Sequence, residues 1–527
     1  MLSELTYYSG MALGLWKFMR TPPAEDPETL IRKQLEEREP RLVEKVRRAV
    51  FQDPENPYRV MFRLAGCEFE DFQALVRGKG LEPALARLHR EGVYLTHDEF
   101  KGKQPIVRGG KHIPSDEKSF LNPLATGRYV SSSSGSRGRG MRSSRSVPYQ
   151  IYQEAWRTLV DREFQAAERI LIGLNPILPS GWGVTGCVKQ SRSGNDMERW
   201  FAVGGTMKNS GHYRAVTRAL LIEARLMGHR VPFPTYLPPN DFSPVAEWIA
   251  RRRREGASAL VSGIASMAVR TASAALDGGM DIEGTRFVVG GEALTDAKRE
   301  VFRAVGAEVF PNYYISEVGL IGYACRQMTA GNCVHLSRDT VAVISYPKRA
   351  PLTDMEVETL AFTPLLPWSP FVLLNAEMDD SGVLGKARCD CTFSRAGFTE
   401  QVGNIFSYGK LTGQGITLLG GDVVRILEEK LPQRFGGGPS DYQLVERESG
   451  RQTEISLRVN PGTGVASAGE VRDYFLGEVR NLYGGSLACR VWRQSDGVQA
   501  VLAEPFTTAS GKILSLHLLG PGTKHGM

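Results

Sequence analysis

The chain has 527 residues, 42% of them hydrophobic and 23% charged, with a formal net charge of +7. That length exceeds what one hydrophobic core supports, so a large body with at least one smaller one is expected, and the composition excludes a disordered or fibrous protein. The small, dispersed charge excludes a nucleic-acid partner, and the lack of an apolar run of about 18 residues excludes a transmembrane segment.

The opening LSELTYYSGMALGLWKF has no basic residues before its apolar stretch and no small-residue cleavage site after it. It reads as an amphipathic helix rather than a secretory signal. Leu13, Leu15 and Trp16 supply its apolar side, to be covered by the protein's own surface or by a peripheral membrane contact. Residues 1 to about 125 continue as a helical N-terminal region, with apolar positions every three or four residues in PETLIRKQLEEREPRLVEKVRRAVF.

From about 126 to 407 strand-like runs (RILIGL, ALVSGI, TRFVVGGE, AEVFPNYY) alternate with helical ones (HYRAVTRALLIEARLMG, DAKREVFRAVG), the pattern of an α/β core with parallel strands. The four arginines at 251–254 close a helix, SPVAEWIARRRR, where cations suit the C-terminal dipole. Residues 408–527 open with glycine-dense YGKLTGQGITLLGGD, pass through a hairpin turning at Ser449-Gly450, and form a helix from GEVRDYFLGEVRNLYGG. They read as a small α+β unit, and no repeat at solenoid periods is present.

Two regions of the core carry chemistry. In RYVSSSSGSRGRGMRSS (128–144), glycines let backbone amides approach an anion and serine hydroxyls add donors; a flexible linker is the competing reading. No lysine follows in the Walker A position. In FVVGGEALTDAKREVFRAVGAEVFPNYYISEVG (287–319), two turns follow strand ends, the edge where open α/β sheets bind ligands.

These segments resemble the adenylate-forming superfamily of acyl-CoA synthetases, adenylation domains and luciferases. Ser133, Ser134, Gly135, Ser136, Arg137 and Gly138 are similar to its phosphate loop, Gly290, Gly291 and Glu292 to its adenine-side turn, and YYISE (313–317) to its Tyr-Gly-x-Thr-Glu motif. TTASGKI (507–513) resembles its closing Ser-Gly-Lys motif. CRQMTAGNCVHLSRD (325–339) and CDC (389–391) resemble the phenylacetate-CoA ligase-like branch. The sequence departs from the pattern at Arg137 (usually threonine), Gly140 (proline), Tyr314 (glycine) and Leu373-Leu374 (Arg-Tyr).

The resemblance implies a large multi-subdomain N-terminal domain and a mobile C-terminal lid hinged at Gly409-Lys410. It assigns the loop serines to the β- and γ-phosphates of ATP, Glu317 to Mg²⁺, Ser316 to the α-phosphate and Tyr313 to adenine stacking. Asp379 or Asp380, the latter favoured by its spacing to Gly382, takes the ribose hydroxyls, and Lys512 the α-phosphate and acyl oxygens. The implied activity is ATP-dependent conversion of an aromatic or fatty carboxylic acid to acyl-AMP with release of pyrophosphate, then transfer to CoA or a carrier-protein thiol. Transfer of AMP, use of a protein, amine or coenzyme acceptor, and a degenerate nucleotide-binding scaffold stay open as alternatives, as does a homodimer. The acyl pocket is expected to include SGWGVTG (180–186).

Seven cysteines, odd in number and scattered, argue against a disulfide framework and for a reducing compartment, the cytoplasm. Cys325, His335, Cys389 and Cys391 form a candidate tetrahedral Zn²⁺ set with Cys333 as a spare, against the simpler reading of ordinary buried cysteines. Cys67, Cys187 and Cys489 read as structural.

Overall fold

The computed structural model describes residues 2–527 except 126–128, 133–141, 204–210, 239–240, 330, 350–355, 408–419, 450–451, 483–488, 490–491, 493–497, 509–510 and 520–527. A twelve-stranded sheet dominates the described residues. Its parallel half contains Ile170–Leu174, Met197–Ala202, Pro234–Tyr236, Ala259–Ile264, Arg286–Gly290 and Glu308–Ile315. Runs such as ILIGL and RFVVG are buried along nearly their whole length, as strands covered on both faces require.

Chain order and spatial order diverge at one place in this half. From Ile170–Leu174 the chain adds strands outward on one side, then returns to lay Ala259–Ile264 against the other side of the same strand. That reversal is a topological switch point, and the carboxyl ends of those two strands open a crevice there. Ser266 and Met267 begin the helix Ala265–Asp277 at its edge.

The parallel strands expected from the sequence make up one half of this sheet. Beyond Glu308–Ile315 the sheet continues antiparallel through Gly319–Tyr323, Val334–Leu336, Glu400–Ser407, Ala376–Lys386, Glu356–Pro364 and Val341–Arg349. The N-terminal helices cover this half: Leu42, Tyr58, Phe62 and Leu88 share one core with Val343, Leu360 and Phe371. Tyr58 fixes the contact, its hydroxyl donating to the Leu374 carbonyl and accepting from the Leu374 amide.

The first helix, Leu2–Arg20, packs on the protein itself. Met11, Leu15 and Phe18 are buried in a cluster with Trp200 and Leu220, whereas Leu13 and Trp16 stay partly exposed and Arg20 lies over the Trp16 ring. No helix among the described residues is long and apolar enough to cross a membrane.

Residues from 420 onward have their own sheet and core. The hairpin Tyr442–Ser449 and Gln452–Val459 is flanked in parallel by Leu516–Leu519 and Val498–Leu502. The helix Ala468–Arg480 buries Val471, Phe475 and Val479 against Tyr442, Leu444 and Leu457.

Candidate active site

A cleft of about 690 Å³ lies between the carboxyl edge of the sheet and the C-terminal unit. It brings together Gly291, Glu292, Tyr313, Ser316, Glu317, Asp380 and Lys512, residues more than 200 positions apart at the extremes. The segment carrying Lys512 is seated at the switch point. Ser266 Oγ accepts the Ile513 amide at 3.1 Å, and a Cβ on Gly511 would fall 2.1 Å from Met267 Cε and 3.3 Å from Val203 Cγ2. With φ at +84°, position 511 admits only glycine without strain.

The lysine then crosses the Gly290-Gly291 turn. A Cβ on Gly291, whose φ is +83°, would lie 3.0 Å from Lys512 Cε and 3.2 Å from its Nζ. Burial lowers the Lys512 pKa from its ordinary value, opposed by the charges of Glu292 and Glu317. Burial raises that of Glu292, opposed by Lys298, Ser266 and Lys512. Ser266 donates to Glu292 Oε1 at 2.7 Å, and Glu292 Oε2 has no hydrogen-bond partner among the described residues. Buried Gly290 backs the turn against Asn312.

Across the cleft, Tyr313 donates to Asp380 Oδ2 at 2.6 Å. The neighbouring Asp379 has φ at +56° and brings its carboxylate to 3.8 Å from His97 Nδ1, so Asp380, not Asp379, lines the cleft. Glu317 is paired with Lys101 at 2.8 Å, both largely buried. Lys101 and His97 come from the helical N-terminal region, where no motif marks them. Ser133, Ser134, Gly135, Ser136, Arg137 and Gly138, expected as a phosphate loop, and Lys410, expected at a hinge, lie outside the described residues.

A second, smaller cavity of about 80 Å³ adjoins the cleft, and Tyr314 lines both. Its walls are Tyr149, Tyr152, Trp156, Trp182, Tyr314 and Tyr323, with Thr185 and Gly186 on the Trp182 helix. Trp182 meets Tyr314 edge to face at 4.7 Å, and the Tyr149 and Tyr314 hydroxyls are 3.3 Å apart. Tyr152 and Trp156 both donate to Asp339 Oδ2, the latter at 2.7 Å. Their polar atoms are thereby satisfied within the protein. Burial pushes the Asp339 carboxyl up to about 6.

In the same buried core as Tyr152 and Trp156, Cys325, His335, Cys389 and Cys391 converge, their ligand atoms all within 4.8 Å of one another. His335 Nε2 is 3.3 Å from both Cys389 Sγ and Cys391 Sγ, while its Nδ1 is 2.8 Å from the Phe398 carbonyl. That carbonyl can only accept, so Nδ1 carries the proton and Nε2 presents its lone pair to the sulfurs. Hydrogen bonding from Cys325 draws the Cys391 thiol down to about 3. Cys333 sits apart, with its Sγ against Gly403. Cys67, Cys187 and Cys489 are each buried away from the cluster.

Some residues at the site had no sequence signal. Lys298 and Glu428 are buried and 3.0 Å apart, and Glu428 accepts from Thr295 and Ser515. Ser266, Lys101 and Tyr149 are likewise ordinary in composition, and only long-range packing brings them to the site.

No family model and no curated protein matches the chain. Among solved structures it is similar to McyG A-PCP complexed with phenylalanyl-adenylate, at 10% identity and TM-score 0.43, over 73% of this chain and 64% of that one, just under two thirds. It is also similar to the O-succinylbenzoate coenzyme A synthetase MenE from Bacillus subtilis in complex with AMP, at 12% identity and TM-score 0.39, over 74% and 69% of the two chains. A third is the anthranilate CoA ligase AuaEII in complex with anthranoyl-AMP, at 12% identity and TM-score 0.36, over 87% and 79%.

Proposed function

We propose that the protein activates an aromatic carboxylic acid with ATP, forming an acyl-AMP and pyrophosphate, and passes the acyl group to CoA or another thiol in a reducing, cytoplasmic compartment. The observation that carries this reading is the convergence of Glu292, Tyr313, Glu317, Asp380 and Lys512 on one cleft, with the lysine delivered by a separate folding unit. A carboxylate is a poor electrophile until its oxygen becomes part of a good leaving group. Attack of that oxygen on the α-phosphorus breaks the bond to pyrophosphate, and the charge that gathers there needs fixed cations in a water-poor site.

Each residue then has a task. Lys512 neutralises the α-phosphate and acyl oxygens, with Ser316 donating to the same phosphate. Asp380 accepts from the ribose hydroxyls, and Tyr313, held to Asp380, stacks on adenine. The Lys101–Glu317 pair marks a carboxylate placed to balance a cation at the cleft. Glu317 would hold Mg²⁺, which when bound supplies charge neutralisation on the phosphate chain.

The aromatic cavity supports the choice of acid. It abuts the cleft through Tyr314, and ring walls favour a flat aryl group through offset and edge-to-face contacts, at about 0.5–1.5 kcal/mol per ring pair beyond area burial. ATP–pyrophosphate exchange over a panel of aromatic and aliphatic acids tests both parts. Exchange is expected with compact aryl acids, and Trp182→Ala should raise KM for the aryl acid about tenfold with KM for ATP unchanged. Exchange with no acid, despite ATP binding, would end the ligase reading and leave nucleotidyl transfer or a scaffold role.

The Cys325, His335, Cys389, Cys391 set fits Zn²⁺: four soft or borderline donors, a fixed histidine tautomer and a thiolate already favoured. When bound, the ion would contribute folding energy by joining the strand at Val334–Leu336 to the segment at 389–391.

A further inference from the structure

Among the described residues, the polar contacts between the C-terminal unit and the sheet edge beside Lys512 include an ion pair withdrawn from water. Glu428 belongs to the C-terminal unit and Lys298 to the helix Asp296–Ala304 of the core. Their charged ends are 3.0 Å apart, with side chains 1% and 5% exposed. The same carboxylate accepts from Thr295, on the core side, and from Ser515, three residues after Lys512. Ser515 in turn is tied to the C-terminal sheet, its carbonyl accepting the Leu444 amide at 2.8 Å.

We infer that the Glu428–Lys298 pair is the latch that holds Lys512 in the cleft, Glu428 being a positioning residue for the activation step. The reasoning is electrostatic. Neither charge can stay where it is without the other, because an unpaired buried ion is far costlier than the pair. Both ions regain water when the two units part, so the pair exists only in the docked arrangement. Its route to the lysine is short: Glu428 to Ser515, then three residues of chain, with Ser266 gripping the Ile513 amide between them. Glu292 takes its one hydrogen bond from Ser266, within the core, whereas Glu428 reaches from the C-terminal unit to a core lysine.

The consequence for catalysis rests on the activation reading above, whereas the latch itself is measurable without it. Hydrogen exchange on the full chain should show the amides of 511–517 losing protection by about tenfold or more in Glu428→Gln, with the core strand at 286–290 unchanged. The double variant Glu428→Gln, Lys298→Met removes both charges and keeps an amide for Thr295 and Ser515, so protection at 511–517 should return. Unchanged protection in Glu428→Gln would overturn the latch, and so would a double variant that stays as open as the single one. Should the single variant fail to fold, Lys298→Met alone, which strands the opposite charge, replaces it in the same comparison. Pyrophosphate exchange run in parallel separates the two claims: a wild type without exchange sinks the activation reading, while the protection data still decide the latch.

Discussion

Replacing Lys512 by alanine should lower ATP–pyrophosphate exchange by about a hundredfold to a thousandfold while leaving the thermal melt nearly unchanged. The lysine is half-buried at an interface and anchors no core, so its loss removes charge from the reacting centre rather than packing from the fold. Gly291→Ala should damage exchange comparably, since the new Cβ would meet the lysine stem at 3.0 Å on a backbone with φ at +83°. The pH profile carries the same signature. Lys512 acts as an ammonium, and burial places its pKa below the ordinary 10.5. Rate should therefore hold at neutral pH and be lost on the alkaline side, as pH rises through a value lower than that of an exposed lysine. Initial-rate exchange from neutral to alkaline pH checks this; a Lys512→Ala variant that keeps wild-type exchange would remove the lysine from the chemistry.

Purified protein is expected to contain one zinc per chain, and Cys391→Ser or stripping with a strong chelator should release it and destabilise the core by several kcal/mol, about 3 or more. On the zinc reading, the cost arises because four donors are left without their cation. Without it two sulfurs and an imidazole nitrogen face one another within 4 Å. Elemental analysis paired with thermal melts reads both quantities independently of activity. Metal-free protein whose melt is indifferent to Cys391→Ser would return the cluster to ordinary buried cysteines. Cys333→Ser serves as the control, since that thiol lies against Gly403 and outside the set.

The α/β core was legible because its parallel strands are buried on both faces and so read as continuous apolar runs between amphipathic helices. The antiparallel half was not. Strands such as Glu356–Pro364 and Ala376–Lys386 mix apolar and polar positions, and their pairing across bulges at 359–361 and 381–383 is decided by contacts with distant helices. At the cleft, residues in short motifs with glycine or aromatic neighbours could be picked out: Gly291, Tyr313, Glu317, Lys512. Those that act through partners could not. Lys101, Ser266, Lys298 and Glu428 are common residue types in unremarkable surroundings, and their significance is a distance of about 3 Å to something far away in the chain.

Tyr314 stands where the resembled motif has glycine, and its ring lines the cleft proposed to take ATP on one side and the aromatic cavity on the other. Such a party wall binds the history of the two compartments together. On the proposed activation reading, a mutation that enlarges the acid's room by trimming this ring also takes a surface from the ATP side, so new substrates and old catalytic efficiency trade against each other in a single step. Diversification of this protein should therefore proceed from walls that belong to the cavity and not to the cleft, such as Tyr323.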